Sequence, residues 1–387
     1  MKSIKRYKSM RVSRAAVAVV VGGALLAACS SSTKAASSSS PTTAAPSGGG
    51  GNSQVAAAEA YVTKAEQVPT SIPLNTPLKT KPPTGKTFVF MQCDIDQCTV
   101  EAQALKTVTA ALGWNLKTIP YQSANPATLI SGMQQALQYN PVGVGLSGIP
   151  EAEWSSVVPA YQKANVPIVL AYVGPQQLDN TIIANIGDTT SVTLDAKALA
   201  NYFIAKSNGT GHILQFQVPD FPILNTFDQA FRSAVSAGCS ACSVTPLTGT
   251  IAQVTGGGAT GAIVSALQRN PSIGWVVTDD GPWVDGLPAA AANAGLHPKI
   301  IGEGADTVNE TDIKAGTATA FTGLALNYGQ WAMIDAVLRH MEGMPIPANE
   351  GTLPIQLLTQ HDNFTVSSSF DQPANYAAQM KALWHLS

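Results

Sequence analysis

The sequence predicts an α/β fold in two doubly wound lobes. Three observations predict it. Short β-rich apolar runs alternate with helical patterns of about 12 to 18 residues, the signature of βαβ units and parallel sheets. The body after residue 54 exceeds the roughly 250 to 300 residues at which a single core tends to divide. The alternation also runs through one complete half and then starts again.

In order, Thr87 to Gln92 reads as a strand, and Val100, Ala104, Leu105, Val108, Ala111 and Leu112 fall on one helical face that Gly113 ends. Strand Trp114 to Pro120, helix Pro126 to Tyr139, strand Val142 to Leu146, helix Ala152 to Ala164 and strand Pro167 to Tyr172 complete the first half. The second runs through helix Ser191 to Ser207, strand His212 to Gln217, helix Leu224 to Ala237, strand Ser243 to Leu247, helix Thr260 to Asn270, strand Ile273 to Thr278, helix Trp283 to Ala294 and strand Lys299 to Gly302. Two Rossmann-like lobes follow, with no sequence repeat linking them.

The N-terminus opens with Lys2, Lys5, Arg6, Lys8, Arg11 and Arg14, continues into the apolar run Ala15 to Ala28, and reaches Cys29. This is the order of an export signal, and the run is shorter than the roughly 20 residues a spanning helix needs. Leu26-Ala27-Ala28-Cys29 resembles a lipobox, which implies cleavage of residues 1–28 and a lipid anchor on Cys29; the alternative is an ordinary secretory signal beside a stray cysteine. Residues 29–54 are mostly Ser, Thr, Ala, Pro and Gly and read as a tether, and 55–85 as an N-terminal helix and extended lead-in. Removing six of the 22 basic residues leaves 16 against 24 acidic ones, a net charge of −8, which argues against a nucleic-acid partner. The remaining cysteines, Cys93 with Cys98 and Cys239 with Cys242, suit two local disulfides in an exported chain better than a shared zinc site.

Several segments, in order, resemble the type I periplasmic binding proteins, the class of the ribose-binding protein and the lac-repressor core. Asn140 to Leu146 resembles the third strand of that family, Val166-Pro167-Ile168-Val169 its fourth, and Ile186-Gly187-Asp188 its crossover aspartate. Phe227 to Phe231, Thr278-Asp279-Asp280-Gly281, Ile301 to Asp306 and Gly329 through Gly343 resemble its later motifs. The resemblance implies a first lobe of residues 86–188 with about 322–350, and a second of 189–321 with about 351–387. It also implies a multi-strand hinge near Asp188, Thr322 and residues 351–360, with Pro373 to Leu386 a helix on the second lobe.

Open α/β sheets bind ligands beyond the carboxyl ends of their strands. Those ends offer Gln92, Asp94, Asp96, Gln97, Ser147 and Tyr172 from the first lobe, and Phe221, Asn225, Asp279, Trp283 and Asp306 from the second. Acids and amides grip hydroxyls and aromatics stack on an apolar face, a mixture that suits a sugar or polyol. The ribose-type proteins carry an Asp-Arg pair where Tyr172-Val173 stands, an arginine where Asn225 stands, and a hinge glutamine where Thr322 or Gly323 stands. Pentose specificity is therefore not implied, and with no arginine among the candidates a neutral or weakly cationic ligand is favoured.

Asp279 is expected to contact ligand and Asp280 to brace its turn. Trp114, Trp275, Trp331 and Trp384 are expected in the core, and Trp283 either there or facing the cleft. Gly256-x-Gly258-x-x-Gly261 satisfies the dinucleotide pattern, but Ile251 to Thr255 before it reads as a short connection, so no cofactor or metal is called for. The five histidines are scattered, and neither a Gly-x-Ser-x-Gly nor a His-Glu-x-x-His motif occurs. The expectation is a monomeric, lipid-anchored binding protein outside the membrane that delivers a small ligand to an ABC permease and catalyses nothing. The alternative is a clamp that reports its ligand state to a membrane receptor kinase.

Overall fold

A computed structural model describes residues 49–362 and 364–386. The expected signal segment, Cys29 with its expected lipid, and most of the stretch read as tether lie outside these residues. The first element is helix α1 (Gly49–Ala65), so the helix begins within the stretch read as tether.

The first lobe is built from β1 (Thr87–Gln92), α2 (Asp96–Ala111), β2 (Asn115–Pro120), α3 (Pro126–Ala136), β3 (Gly143–Ser147), α4 (Val158–Ala164), β4 (Ile168–Ala171) and β5 (Ile182–Ile186). The five strands are parallel, in the order β2-β1-β3-β4-β5. Along β1, Phe88 and Phe90 enter the core on one face and Val89 and Met91 the core on the other, the period-2 pattern of a strand covered on both sides.

The second lobe follows with α5 (Thr189–Lys206), β6 (His212–Gln217), α6 (Pro222–Gly238), β7 (Ser243–Thr248), α7 (Ile251–Thr255), α8 (Ala259–Arg269), β8 (Trp275–Thr278), α9 (Leu287–Asn293), β9 (Lys299–Ala305), α10 (Thr307–Ala315) and β10 (Ala320–Gly323). The chain then makes α11 (Leu326–Met341), β11 (Leu357–Thr359) and α12 (Tyr376–Leu383). The second sheet runs β11-β10-β9-β8-β6-β7, parallel except for β11, which pairs antiparallel with β10. The chain crosses between lobes after β5, after β10 and before β11. Gly351 O accepts from Gly187 N at 2.8 Å, which joins the first and third crossings.

Two helices are shorter than their sequence pattern, and proline is the reason. Pro159 and Pro288 are tolerated only in a first helical turn. The helices therefore start at Val158 and Leu287, and 3-10 turns occupy Glu151–Glu153, Ser155–Val157 and Gly281–Val284 before them. The presumed connection Ile251 to Thr255 is a one-turn helix closed by a Thr250/Gln253 capping box. Strand β5 and helix α10 carried no strong periodic signal and were not expected.

Helix α11 leaves the second sheet to pack on α2, β4 and β5. Glycine at position 145 makes room for it, since a Cβ there would stand 2.4 Å from Met333 Sδ. The C-terminal helix departs from expectation. It lies against α11 of the first lobe, not on the second. Trp384, wholly buried, stacks on Trp331 with ring centroids 5.2 Å apart, and its Nε1 donates to Asp335 Oδ1 at 2.6 Å. Burial of that indole outweighs anything an exposed face of the second lobe offers. Helix α1 packs instead on α5 of the second lobe, and the lead-in after it crosses to the first, where Thr76 O accepts from Arg339 Nη2 at 2.6 Å and Leu78 N donates to Leu383 O at 2.9 Å. Among the described residues no helix is long and apolar enough to cross a membrane.

Candidate functional site

The carboxyl ends of both sheets face one cleft, with about 770 Å³ of empty space, part of it open to solvent. From the first lobe it is lined by Ile95, Gln97, Cys98 and Glu101 at the start of α2, Tyr121 after β2, Ser147 at the end of β3 and Tyr172 after β4. From the second come Phe221, Ile223 and Leu224 at the start of α6, Asp280 and Trp283 after β8, and Glu303 on β9. Leu324 and Leu326 at the second crossing close the back. The wall is thus mainly apolar, set with a few polar groups.

Cys93 and Cys98 are joined by a disulfide, as are Cys239 and Cys242. The first pins the loop that carries Ile95 and Gln97. Gln97 reaches across the cleft, and its Nε2 donates to Asp280 Oδ1 at 3.2 Å. Phe221 and Trp283 stack on each other with centroids 6.3 Å apart and form an aromatic wall on the second-lobe side. Tyr172 sits at a strained left-handed φ of 53°, with its ring laid over Gly187 at the first crossing, where a Cβ would come within 2.4 Å of a ring carbon. Its hydroxyl and Trp283 Nε1 are buried without a partner.

Three carboxyls line the cavity. Glu101 Oε2 accepts from Ser147 Oγ at 2.7 Å, and burial pushes this carboxyl up to about 7. Burial raises Asp280 to about 8, against a small lowering by its hydrogen bond from Gln97. Burial and then the negative charge of Asp195 raise Glu303 well above the usual carboxylate range. Among the described residues no lysine, arginine or histidine lines the cavity.

Of the residues expected from the sequence, Gln97, Ser147, Tyr172, Phe221 and Trp283 line the cavity and six do not. Gln92 Nε2 contacts Thr99 Oγ1, exposed Asp94 accepts from Ser123 N, Asp96 begins α2 facing solvent, and Asn225 Nδ2 donates to Pro219 O. Asp306 Oδ1 caps α10, accepting from Val308 N and Asn309 N. The expected positions of Asp279 and Asp280 are exchanged. Asp279 is wholly buried and accepts from Val218 N at 2.7 Å, which ties the turn after β6 to that after β8, while Asp280 faces the cleft. Successive residues of an extended segment point opposite ways, and a shift of one position decides which meets the cavity.

At the hinge, Asp188 caps α5 through Thr190 N and Ser191 N, and buried Thr322 Oγ1 accepts from Gly304 N within the second sheet, two residues before the chain leaves it. Sequence reasoning missed Glu101 and Glu303. Glu101 lies one helical turn past Gln97 on the same face of α2, the one signal that pointed to it.

Two discontinuous lobes on parallel sheets, three crossings and a cleft between the carboxyl ends are the architecture of the type I periplasmic binding proteins, and this chain has that fold. No protein-family model matches it, and no curated protein does. Among solved structures it is similar to the 5-methylthioribose transporter solute-binding protein of Thermotoga lettingae, with TM-score 0.64 and 14% identity over 80% of this chain and 99% of that one. It is also similar to the binding protein of the arabinose ABC transporter of a Shewanella species, with TM-score 0.62 and 16% identity over 78% and 98%. A third is an ABC sugar transporter subunit from Rhodobacter sphaeroides, with TM-score 0.62 and 17% identity over 72% and 99%.

Proposed function

We propose that this protein captures a small ligand outside the cell membrane, in the cleft between its lobes, and hands it to an ABC permease while tethered through a lipid on Cys29. The observation that carries the reading is the cavity itself, walled by both lobes and spanned by the hydrogen bond from Gln97 to Asp280, so that closing the cleft and binding are one event. The similar structures described as sugar-binding components of transporters support a sugar or sugar-like cargo. Here the ligand meets carboxyls at one end and Phe221, Trp283 and aliphatic side chains elsewhere. The protein acts by binding and release, as a monomer, and catalyses nothing.

The test is melting temperature of the exported protein against pentoses, hexoses, polyols, nucleosides, amino acids and amines. A ligand at 100 times its dissociation constant stabilises by about 2.7 kcal/mol, a plain upward shift. A shift that disappears in Trp283→Ala places the ligand in the cleft; a protein that no small molecule stabilises is not such a carrier.

A further inference from the structure

Among the described residues the cavity wall carries three carboxyls, Glu101, Asp280 and Glu303, and no basic side chain. The charged groups that act on them from neighbouring elements are acidic as well: Asp195 and Asp279 on Glu303, and Asp285 and Asp306 on Asp280. Helices α2, α6 and α11 start at the cleft, and each helix start is equivalent to roughly half a positive charge, less than the charge of one ionised carboxyl. The cleft thus offers sites for negative charge and no full positive charge to neutralise them. A second observation comes from a donor: Trp283, whose side chain is 8% exposed, lines the cavity, and its Nε1–H is buried without a partner.

A carboxyl buried in this way ionises at little cost only beside a cation, and a buried N–H needs an acceptor. We propose that the cleft is built for a ligand that carries a protonated amine beside an oxygen acceptor on an otherwise apolar body, the amine set against Glu303 and Asp280 and the apolar body against Phe221 and Trp283. A hydroxylated aromatic amine has this chemistry, and an amino sugar meets it with the apolar C–H face of its ring against the aromatic pair. The inference rests on the reading of the cleft as a ligand site and names the ligand class.

One consequence separates such a ligand from a neutral sugar. Burial keeps Asp280 protonated in the empty cleft up to about pH 8. An ammonium group favours the ionised carboxyl, so binding expels a proton to solvent, and affinity rises with pH while the amine stays charged. A neutral ligand leaves the proton in place.

The experiment is calorimetry of the exported protein with matched pairs that differ only in amine against hydroxyl: galactosamine with galactose, glucosamine with glucose, and 2-amino-1-phenylethanol with 1-phenyl-1,2-ethanediol. In at least one pair the amine binds about ten- to hundred-fold more tightly, as a charge-assisted hydrogen bond in a buried site requires. Its binding heat varies with the ionisation enthalpy of the buffer, which reports the proton released. Glu303→Gln keeps the shape and removes the charge, and brings the two members of the pair together; Asp280→Asn does the same should the first variant fail to fold. Neutral members that bind as tightly as their amines overturn this inference and leave the binding role intact. If neither members of the pairs nor any other small molecule binds, the ligand-site reading falls as well.

Discussion

Replacing Trp384 with alanine tests how the C-terminal helix is held. The indole is wholly buried, stacked on Trp331, and its Nε1 supplies a hydrogen bond to Asp335. Truncating a buried tryptophan to alanine costs about 3 to 5 kcal/mol in lost transfer energy and cavity. Asp335 then loses a donor inside the protein, a further 1 to 3 kcal/mol or so, reduced here because the Arg339 guanidinium still pairs with it. The expected loss is about 5 kcal/mol. Trp384→Phe keeps one aromatic ring but loses the donor and part of the buried indole, and is expected to cost about 2 to 3 kcal/mol. Urea unfolding monitored by far-UV circular dichroism measures both. A loss below about 2 kcal/mol for the alanine variant would refute the reasoning, because α12 would then be an appendage and not a part of the first lobe. The same substitution leaves the cleft untouched, so ligand affinity of the folded fraction stays that of the parent.

Three further outcomes are expected. Glu101 and Asp280 have folded-state values raised by burial to about 7 and about 8, so between about pH 4.5 and 8 the folded protein binds more protons than the unfolded chain. The stability these groups contribute is complete in acid and is lost as pH rises through those values. The melting temperature of the ligand-free protein therefore falls from pH 5 to pH 8.5, and a rise over that window contradicts the assignment. Asp306→Ala removes a helix cap and costs about 1 kcal/mol in unfolding measurements while ligand affinity is unchanged; loss of binding would return Asp306 to the site. Gln97→Ala breaks the bond across the cleft and weakens ligand affinity about five-fold, mainly through faster dissociation in stopped-flow measurements.

Most of the fold was legible in the sequence. Strand Thr87–Gln92 carries an unbroken apolar run and His212–Gln217 one interrupted only by Gln215, and both have the expected bounds. Two-fold alternation and helical periodicity are local properties, fixed by which residues a given backbone places on one face. The same locality explains the errors at helix starts, where proline at positions 159 and 288 overrode the apolar pattern. Strand β5, a short fully buried strand, offers no period to read.

The candidate site divides along the same line. That the cavity-lining groups cluster at the carboxyl ends of strands follows from the sheet order, and the strand ends can be read from sequence, which is why Gln97, Ser147, Tyr172, Phe221 and Trp283 line the cavity as expected. Which of Asp279 and Asp280 faces the cavity, that Glu101 and Glu303 enter it, and that Asp306 spends its oxygens on a helix cap depend on side-chain direction. So does the seat of α12, chosen by the fit of Trp384 against Trp331. The sequence by itself determined the alternation of elements, the two lobes and the disulfide partners, because each follows from neighbours along the chain. The carboxyl lining of the cleft and the packing of α1 and α12 were decided only when residues from distant segments met, since burial and partner choice are set by what folding brings together.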